Sequence, residues 1–249
     1  MLKTLGIVQA CFSSPRFRAN ATRRLGGHSL LEWVVRRVTD STRLNGVIVV
    51  ACDAAEHRGL GKLAPPDVPV FLSDQADAMT RIVRALEEYP AEAVVCVHGD
   101  NPFIDPALID RLVTSAESLA DCDYASYCSR DGRPAMLSPV GVYGEWFRVA
   151  ALRRAARSAK DPADRQSVSR YFYSHPEKFK LRLIPAPVEI DRDDVRLTIQ
   201  SDEDWDHVLA IFDALGPESL DWQRIACLLN HQPALRRRMA DMNRACVAR

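Results

Sequence analysis

The chain has 249 residues, 47% of them apolar and 27% charged, with 33 basic and 33 acidic side chains in balance. That composition excludes a disordered chain, and the balanced charge gives no global attraction to nucleic acid or an anionic membrane. No run reaches the roughly 18 apolar residues of a membrane span, and MLKTLGIVQA has no cleavage-site pattern, so a cytoplasmic protein is expected.

In chain order, the first elements alternate. Leu5–Ala10, Val47–Ala51, Val68–Leu72 and Ala93–Val97 are continuous β-branched or apolar runs, which fits strands covered on both faces of a parallel sheet. Between them, Leu30, Leu31, Val34, Val35 and Val38 recur at helical spacing, as do Met79, Ile82, Val83 and Leu86. This alternation predicts an α/β fold with a Rossmann-like, doubly wound sheet. Asp105-Pro106 reads as an N-cap with proline in the first turn, opening a helix over Ala107–Glu117. Strands are predicted near Tyr124, over Pro139–Tyr143, Lys180–Ile184 and Val195–Gln200, making the second half of the sheet mixed. Helices are predicted over Glu145–Ala156 and Gln166–Tyr173. The tail is helical, and Ser201 with Asp204 forms a capping box ahead of Val208, Ile211 and Phe212. Leu235, Met239 and Met242 with Arg236, Arg237 and Arg238 read as a helix with a solvated basic face.

The seven cysteines show no C-x-x-C spacing, which excludes a zinc site and a disulfide framework; Cys52 and Cys96 read as small buried hydrophobes. In an open sheet of this kind, ligands bind beyond the carboxyl ends of the strands. Two segments lie there. Cys11–Gly27 carries Arg16, Arg18, Arg23 and Arg24 without an acid, a composition that suits phosphate oxygens as well as a solvated loop. His98-Gly99-Asp100-Asn101-Pro102 places one carboxylate after an apolar run, and Asp100 reads either as a turn residue or as a Mg²⁺ ligand.

These segments resemble a family, the cytidylyltransferases of the spore-coat-polysaccharide type, related to CMP-Kdo and CMP-sialic acid synthetases. Gln9-Ala10, Ser14, Arg16, Leu25-Gly26-Gly27 and Leu30-Leu31-Glu32-Trp33 fall in register with its first loop. HGDNPFIDPALID from His98 to Asp110, YFYSHPEKFKLRLI from Tyr171 to Ile184, and Arg196-Leu197-Thr198 match later motifs. The resemblance implies a nucleotide-diphospho-sugar transferase (GT-A-like) fold over residues 1–249 as a single domain. Its parts would be a nucleotide-binding half over 1–120, an acceptor and dimerisation half over 121–200, and C-terminal helices over 201–249. It further implies transfer of CMP from CTP to a sugar acid, with Mg²⁺ as cofactor, in a homodimer. Asp100 would hold the metal, Arg16 would contact the triphosphate, and Gln9, Ala10, Ser14, Arg18 and Gly99 would cradle the nucleotide.

The same resemblance exposes departures. A loop arginine falls on Cys11 and a lysine on Asn20, with Ser13 and Pro15 replacing a glycine and a threonine. The second metal carboxylate falls on Gln200. Met136–Gly141 stands where the family has two acids, and Arg165–Ser169 has neutral groups in place of a Glu and a His. Arg18, Arg23, Arg24 and Asp202 are the residues that could compensate. The alternative expectation is a relative that binds a nucleotide or sugar ligand, or pairs with an active homologue, without turnover.

Overall fold

Leu2–Ala10 (β1) is a strand because its side chains are covered from both sides, with Leu5, Ile7, Val8 and Ala10 all buried. The structure is a computed structural model and describes residues 1–10, 22–52 and 59–247. A two-residue antiparallel ribbon, Arg24–Leu25 (β2) with His28–Ser29 (β3), leads into the helix Leu30–Thr39 (α1). Ser29 caps that helix by accepting from the Glu32 amide at 3.1 Å. Val47–Cys52 (β4), Val70–Ser73 (β5) and Ala91–His98 (β6) complete the parallel half, with the helix Ala78–Glu88 (α2) before β6.

Pro106–Glu117 (α3) then leads to Tyr124–Cys128 (β7), Glu145–Arg148 (β8) and the helix Val149–Ser158 (α4). Pro162–Gln166 (α5) and Val168–Ser174 (α6) precede the last strand, Leu181–Pro185 (β9). Three helices follow: Asp202–Leu215 (α7), Trp222–His231 (α8) and Pro233–Val247 (α9). The seven-stranded sheet has the order β5-β4-β1-β6-β8-β7-β9, and β8 runs antiparallel to both of its neighbours. One face of the sheet packs Val8, Val95 and Val97 on Leu31, Val34, Leu112 and Ile211. The other packs Ile7, Val94 and Phe147 on Met79, Ile82, Leu152 and Phe172. The α/β mixed sheet expected from the sequence is therefore present.

Four local expectations are corrected. Pro139–Tyr143 is not a strand, because Gly141 takes φ +68° and turns the chain there. Glu145–Arg148 is a central strand rather than the start of a helix. Trp146 and Phe147 pair with β6 and β7 on both sides, so the helical periodicity begins only at Val149. Val195–Gln200 is not a strand either. Its amides make scattered bonds, Leu197 and Thr198 to the Pro139 carbonyl and Ile199 to that of Asp100, rather than a ladder. The helix predicted over Gln166–Tyr173 is two helices that meet at Ser167.

Asp105 is the cap that the sequence indicates, and it does more than cap. Its Oδ1 accepts from the Ala107 and Leu108 amides and its Oδ2 from the Trp222 amide at 2.9 Å, tying α8 to the start of α3. Asp105→Ala loses the cap and strands a buried amide, an expected cost of about 2–4 kcal/mol, read from the urea unfolding midpoint.

Candidate active site

The neighbours of β1 diverge at its carboxyl end, since the chain leaves β1 towards β4 over one face and reaches β6 through α2 on the other. The Gly99 amide donates to the Gln9 carbonyl at 3.1 Å, so the tips of β1 and β6 are joined there. Beyond Gly99 the chain turns tightly, with Asn101 donating to the His98 carbonyl and Ile104 to that of Asn101. The turn is anchored from below. Trp33 donates to the Pro102 carbonyl and Arg37 to that of Ile104, each at 2.8 Å, while Phe103 and Ile104 are fully buried.

Asp100 projects from this turn into a cleft of about 200 Å³ that it shares with His98, Ser138, Tyr143, Thr198 and Gln200. Its Oδ1 is covered yet has no hydrogen-bond partner among the described residues, and the same holds for the Tyr143 hydroxyl and the Thr198 Oγ1. Six such side-chain atoms occur among the described residues, and these three belong to residues that line one cleft. Buried polar atoms are normally satisfied, so the concentration points to a polar ligand.

Burial raises the Asp100 carboxyl above its ordinary range; His98 and the Asp100 amide oppose this, and Asp204 adds to it. Burial likewise pushes the Tyr143 phenol up, which keeps it a neutral hydroxyl donor.

Gln200 is held from behind. Arg196 and Asp204 form a bidentate pair that is almost wholly buried, 2.5 Å at its shorter contact. Arg196 also donates to the Gln200 Oε1 at 3.2 Å, and Asp204 accepts from the Gln200 amide at 2.9 Å. The capping box of Ser201 and Asp204 completes the network, as the sequence indicates.

Of the residues singled out in the sequence, Gln9, Ala10, Gly99 and Asp100 meet at the strand tips. Ala10 is fully buried and offers its backbone alone. Cys11, Ser13, Ser14, Pro15, Arg16, Arg18 and Asn20 lie outside the described residues. Arg23 and Arg24 are engaged locally: Arg23 pairs with Asp202 at 2.5 Å and stacks over Trp205, and Arg24 donates to the Gly27 carbonyl. Asp202 is thereby spoken for as well. Arg165 does not line the cleft. It donates to the Thr80 hydroxyl at 2.6 Å and to the Ala156 and Ala159 carbonyls, bracing α2 against α4.

Sequence reasoning gave no role in the site to Tyr143, to Thr198, which it named only within the matched Arg196-Leu197-Thr198, or to Glu145. The neutral stretch Met136–Gly141 is followed by this acid, which is buried at the start of β8 and accepts from the Tyr124 hydroxyl. Burial raises the Glu145 carboxyl, with Tyr124, His98 and Ser169 opposing. An acid raised in the folded state favours folding most while it is protonated. Its contribution is complete below the ordinary glutamate range and is lost as pH rises through the raised folded value. Glu145→Gln therefore flattens the loss of stability across that window, a result read from melting temperatures across pH.

For a metal, the donor set is a single unpartnered carboxylate with an amide nearby. Among the described residues, no group of three or more His, Cys, Asp or Glu converges. That set fits a magnesium ion held jointly with phosphate oxygens, which needs one or two carboxylates, rather than a free-standing metal site.

A family model described as cytidylyltransferase matches residues 5–231. The spore coat polysaccharide biosynthesis protein SpsF of Bacillus subtilis (strain 168) is 27% identical over 245 residues, 95% of this chain and 98% of its own. A solved cytidylyltransferase from Leptospira borgpetersenii superposes with a TM-score of 0.81 at 21% identity, covering 94% of this chain and 97% of that one. A CMP:2-keto-3-deoxy-manno-octonic acid synthetase complexed with CTP gives a TM-score of 0.63 at 13% identity, covering 85% and 99%. At those identities the structural likeness speaks for the fold, and the family match speaks for kinship. With its strand-tip cleft and the matched residues running from β1 to the end of α8, the chain belongs to the cytidylyltransferase family.

Proposed function

We propose that the protein transfers CMP from CTP to a sugar-acid acceptor of surface polysaccharide synthesis, with Asp100 as the acidic centre of the transfer site. The observation that carries this reading is the set of unsatisfied buried atoms, Asp100 Oδ1, Tyr143 OH and Thr198 Oγ1, all on residues that line one cleft beside the joined tips of β1 and β6. In this reading Arg16, Ser14 and Arg18 attend the triphosphate together with the backbone of Gln9, Ala10 and Gly99. The hydroxyls of Tyr143 and Thr198 orient the groups that meet in the cleft. A magnesium ion held by Asp100 and the phosphates would supply charge neutralisation for the triphosphate. The covered Oδ1 of Asp100 is screened less by bulk water than an exposed carboxylate oxygen, so charge there acts more strongly on what binds beside it. A homodimer in the cytoplasm belongs to the same proposal, and sedimentation at twice the 27.8 kDa chain mass tests the dimer.

The test is pyrophosphate release from CTP and Mg²⁺ with a panel of sugar acids that includes 3-deoxy-manno-octulosonate. Acceptor-dependent release supports transfer, and silence across the panel counts against it. A second reading, binding without turnover, is favoured by one observation: Gln200 presents a neutral amide that Arg196 already holds, leaving a single carboxylate at the cleft. Tight CTP binding by calorimetry together with a silent panel selects that reading.

A further inference from the structure

The helix α9 lies beyond residues 5–231, which the family model matches, yet it is bound to the segment that forms one wall of the cleft. Its inner side is anchored by Leu235 and Met239, both buried in the core. Arg236 donates to Asp194, which Arg192 also engages at 2.9 Å. One turn from the end of the helix, the Asn243 carboxamide donates to the Asp193 carbonyl at 2.8 Å and to that of Val195 at 3.1 Å. Its oxygen accepts from Arg196 at 3.3 Å.

From there the segment runs directly to the cleft. Arg196 holds Gln200, Leu197 and Thr198 donate to the Pro139 carbonyl, and Ile199 donates to the Asp100 carbonyl. Residues 193–200 therefore hang between α9 on one side and both walls of the cleft on the other. A wider cleft of about 1090 Å³, lined by Arg130, Met136, Arg196, Asn243 and Arg244, opens beside the smaller one, and the two share Met136, Ser138 and Gln200. A side chain that spans two backbone carbonyls and a guanidinium fixes a loop that has no ladder of its own, so its loss is felt where the loop ends.

We propose that Asn243 is a positioning residue for the transfer site, setting through residues 193–200 where Thr198 and Gln200 stand and thereby governing turnover rather than nucleotide affinity. This rests on the reading of the cleft as a cytidylyl-transfer site.

The experiment compares the wild-type protein with Asn243→Ala and with Arg237→Ala, whose exposed side chain sits on the same helix outside the network. Pyrophosphate release from CTP with the sugar-acid panel gives kcat and the KM for CTP, and hydrogen exchange follows the Leu197, Thr198 and Ile199 amides. The expected result for Asn243→Ala is a fall in kcat of about tenfold or more with the KM for CTP within about twofold. Exchange is faster at those three amides and unchanged in α8, and Arg237→Ala behaves as wild type. An unchanged kcat overturns the proposal, and so does exchange that quickens everywhere, which marks a merely structural residue. Should the wild type itself release no pyrophosphate, the functional reading fails separately. The claim on turnover then falls with it, and exchange decides only whether Asn243 holds the loop: acceleration confined to residues 197–199 supports that, and its absence refutes it.

Discussion

Asp100→Asn lowers acceptor-dependent pyrophosphate release by about 10²–10³-fold, as loss of one preorganised charge at a transfer site does, and it stabilises the unliganded fold at neutral and alkaline pH. The two effects have one cause. Asp100 is a carboxylate whose Oδ1 is covered and unpartnered among the described residues, and burial raises it above its ordinary range. An acid shifted that way contributes most to folding below the ordinary aspartate range and progressively less as pH rises through its folded value. The amide has the same shape and no charge to desolvate, so the variant escapes the loss on the alkaline side and gains nothing in acid. Melting temperature across pH, measured beside turnover, reads both. Loss of activity together with loss of stability would instead mark Asp100 as a structural turn residue.

Gly141→Ala produces the largest structural effect expected at the cleft. The residue sits at φ +68°, and an added Cβ would stand 2.7 Å from the Thr198 Cγ2, 3.1 Å from the Thr198 backbone nitrogen and 3.2 Å from the Asn101 Oδ1. The methyl of Thr198 could rotate, but its backbone nitrogen is held to the Pro139 carbonyl and cannot yield without moving residues 197–199. The left-handed conformation and the overpacking together cost about 2–4 kcal/mol. The movement also pushes apart the Thr198 and Asp100 sides of the cleft, so turnover is lost in protein that still folds. Urea unfolding read beside pyrophosphate release gives both quantities, and a variant that keeps wild-type stability and turnover contradicts the close approach of residues 141 and 198.

The parts of the fold legible in the sequence are those where one rule dominates. The strands β1, β4 and β6 are covered on both faces, so their residues are apolar without alternation and stand out in the sequence. Asp105-Pro106 and Ser201 with Asp204 carry cap chemistry that is complete within four residues, and both act as the sequence indicates. The stretch from Pro139 to Arg148 failed because a positive φ at Gly141 cannot be told from a weak strand position, and because strand residues Glu145–Arg148 abut a genuine helical pattern. Glu145 looks like a solvated helix residue in sequence; only the fold brings the Tyr124 hydroxyl to it.

The candidate site divides in the same way. Asp100 and Gly99 could be found because they follow an apolar strand and a positional rule for open sheets applies. Tyr143 and Thr198 could not, since a tyrosine and a threonine in apolar surroundings are ordinary strand residues until their hydroxyls are seen to lack partners. Arg23 was a candidate for phosphate, but Asp202, 179 residues away in sequence, takes it. No local pattern announces a pairing of that length, and the same is true of Asn243 and the loop it holds.

The most direct test of the Asp100 cleft as the seat of the nucleotide phosphates is a calorimetric titration of CTP into the wild-type protein and Asp100→Asn, each with and without Mg²⁺. The expected result is that Mg²⁺ tightens CTP binding to the wild type by about tenfold or more, about 1.4 kcal/mol, and leaves the variant's affinity unchanged. Binding of CTP that ignores Mg²⁺ in the wild type, or the same Mg²⁺ enhancement in Asp100→Asn, would contradict the assignment.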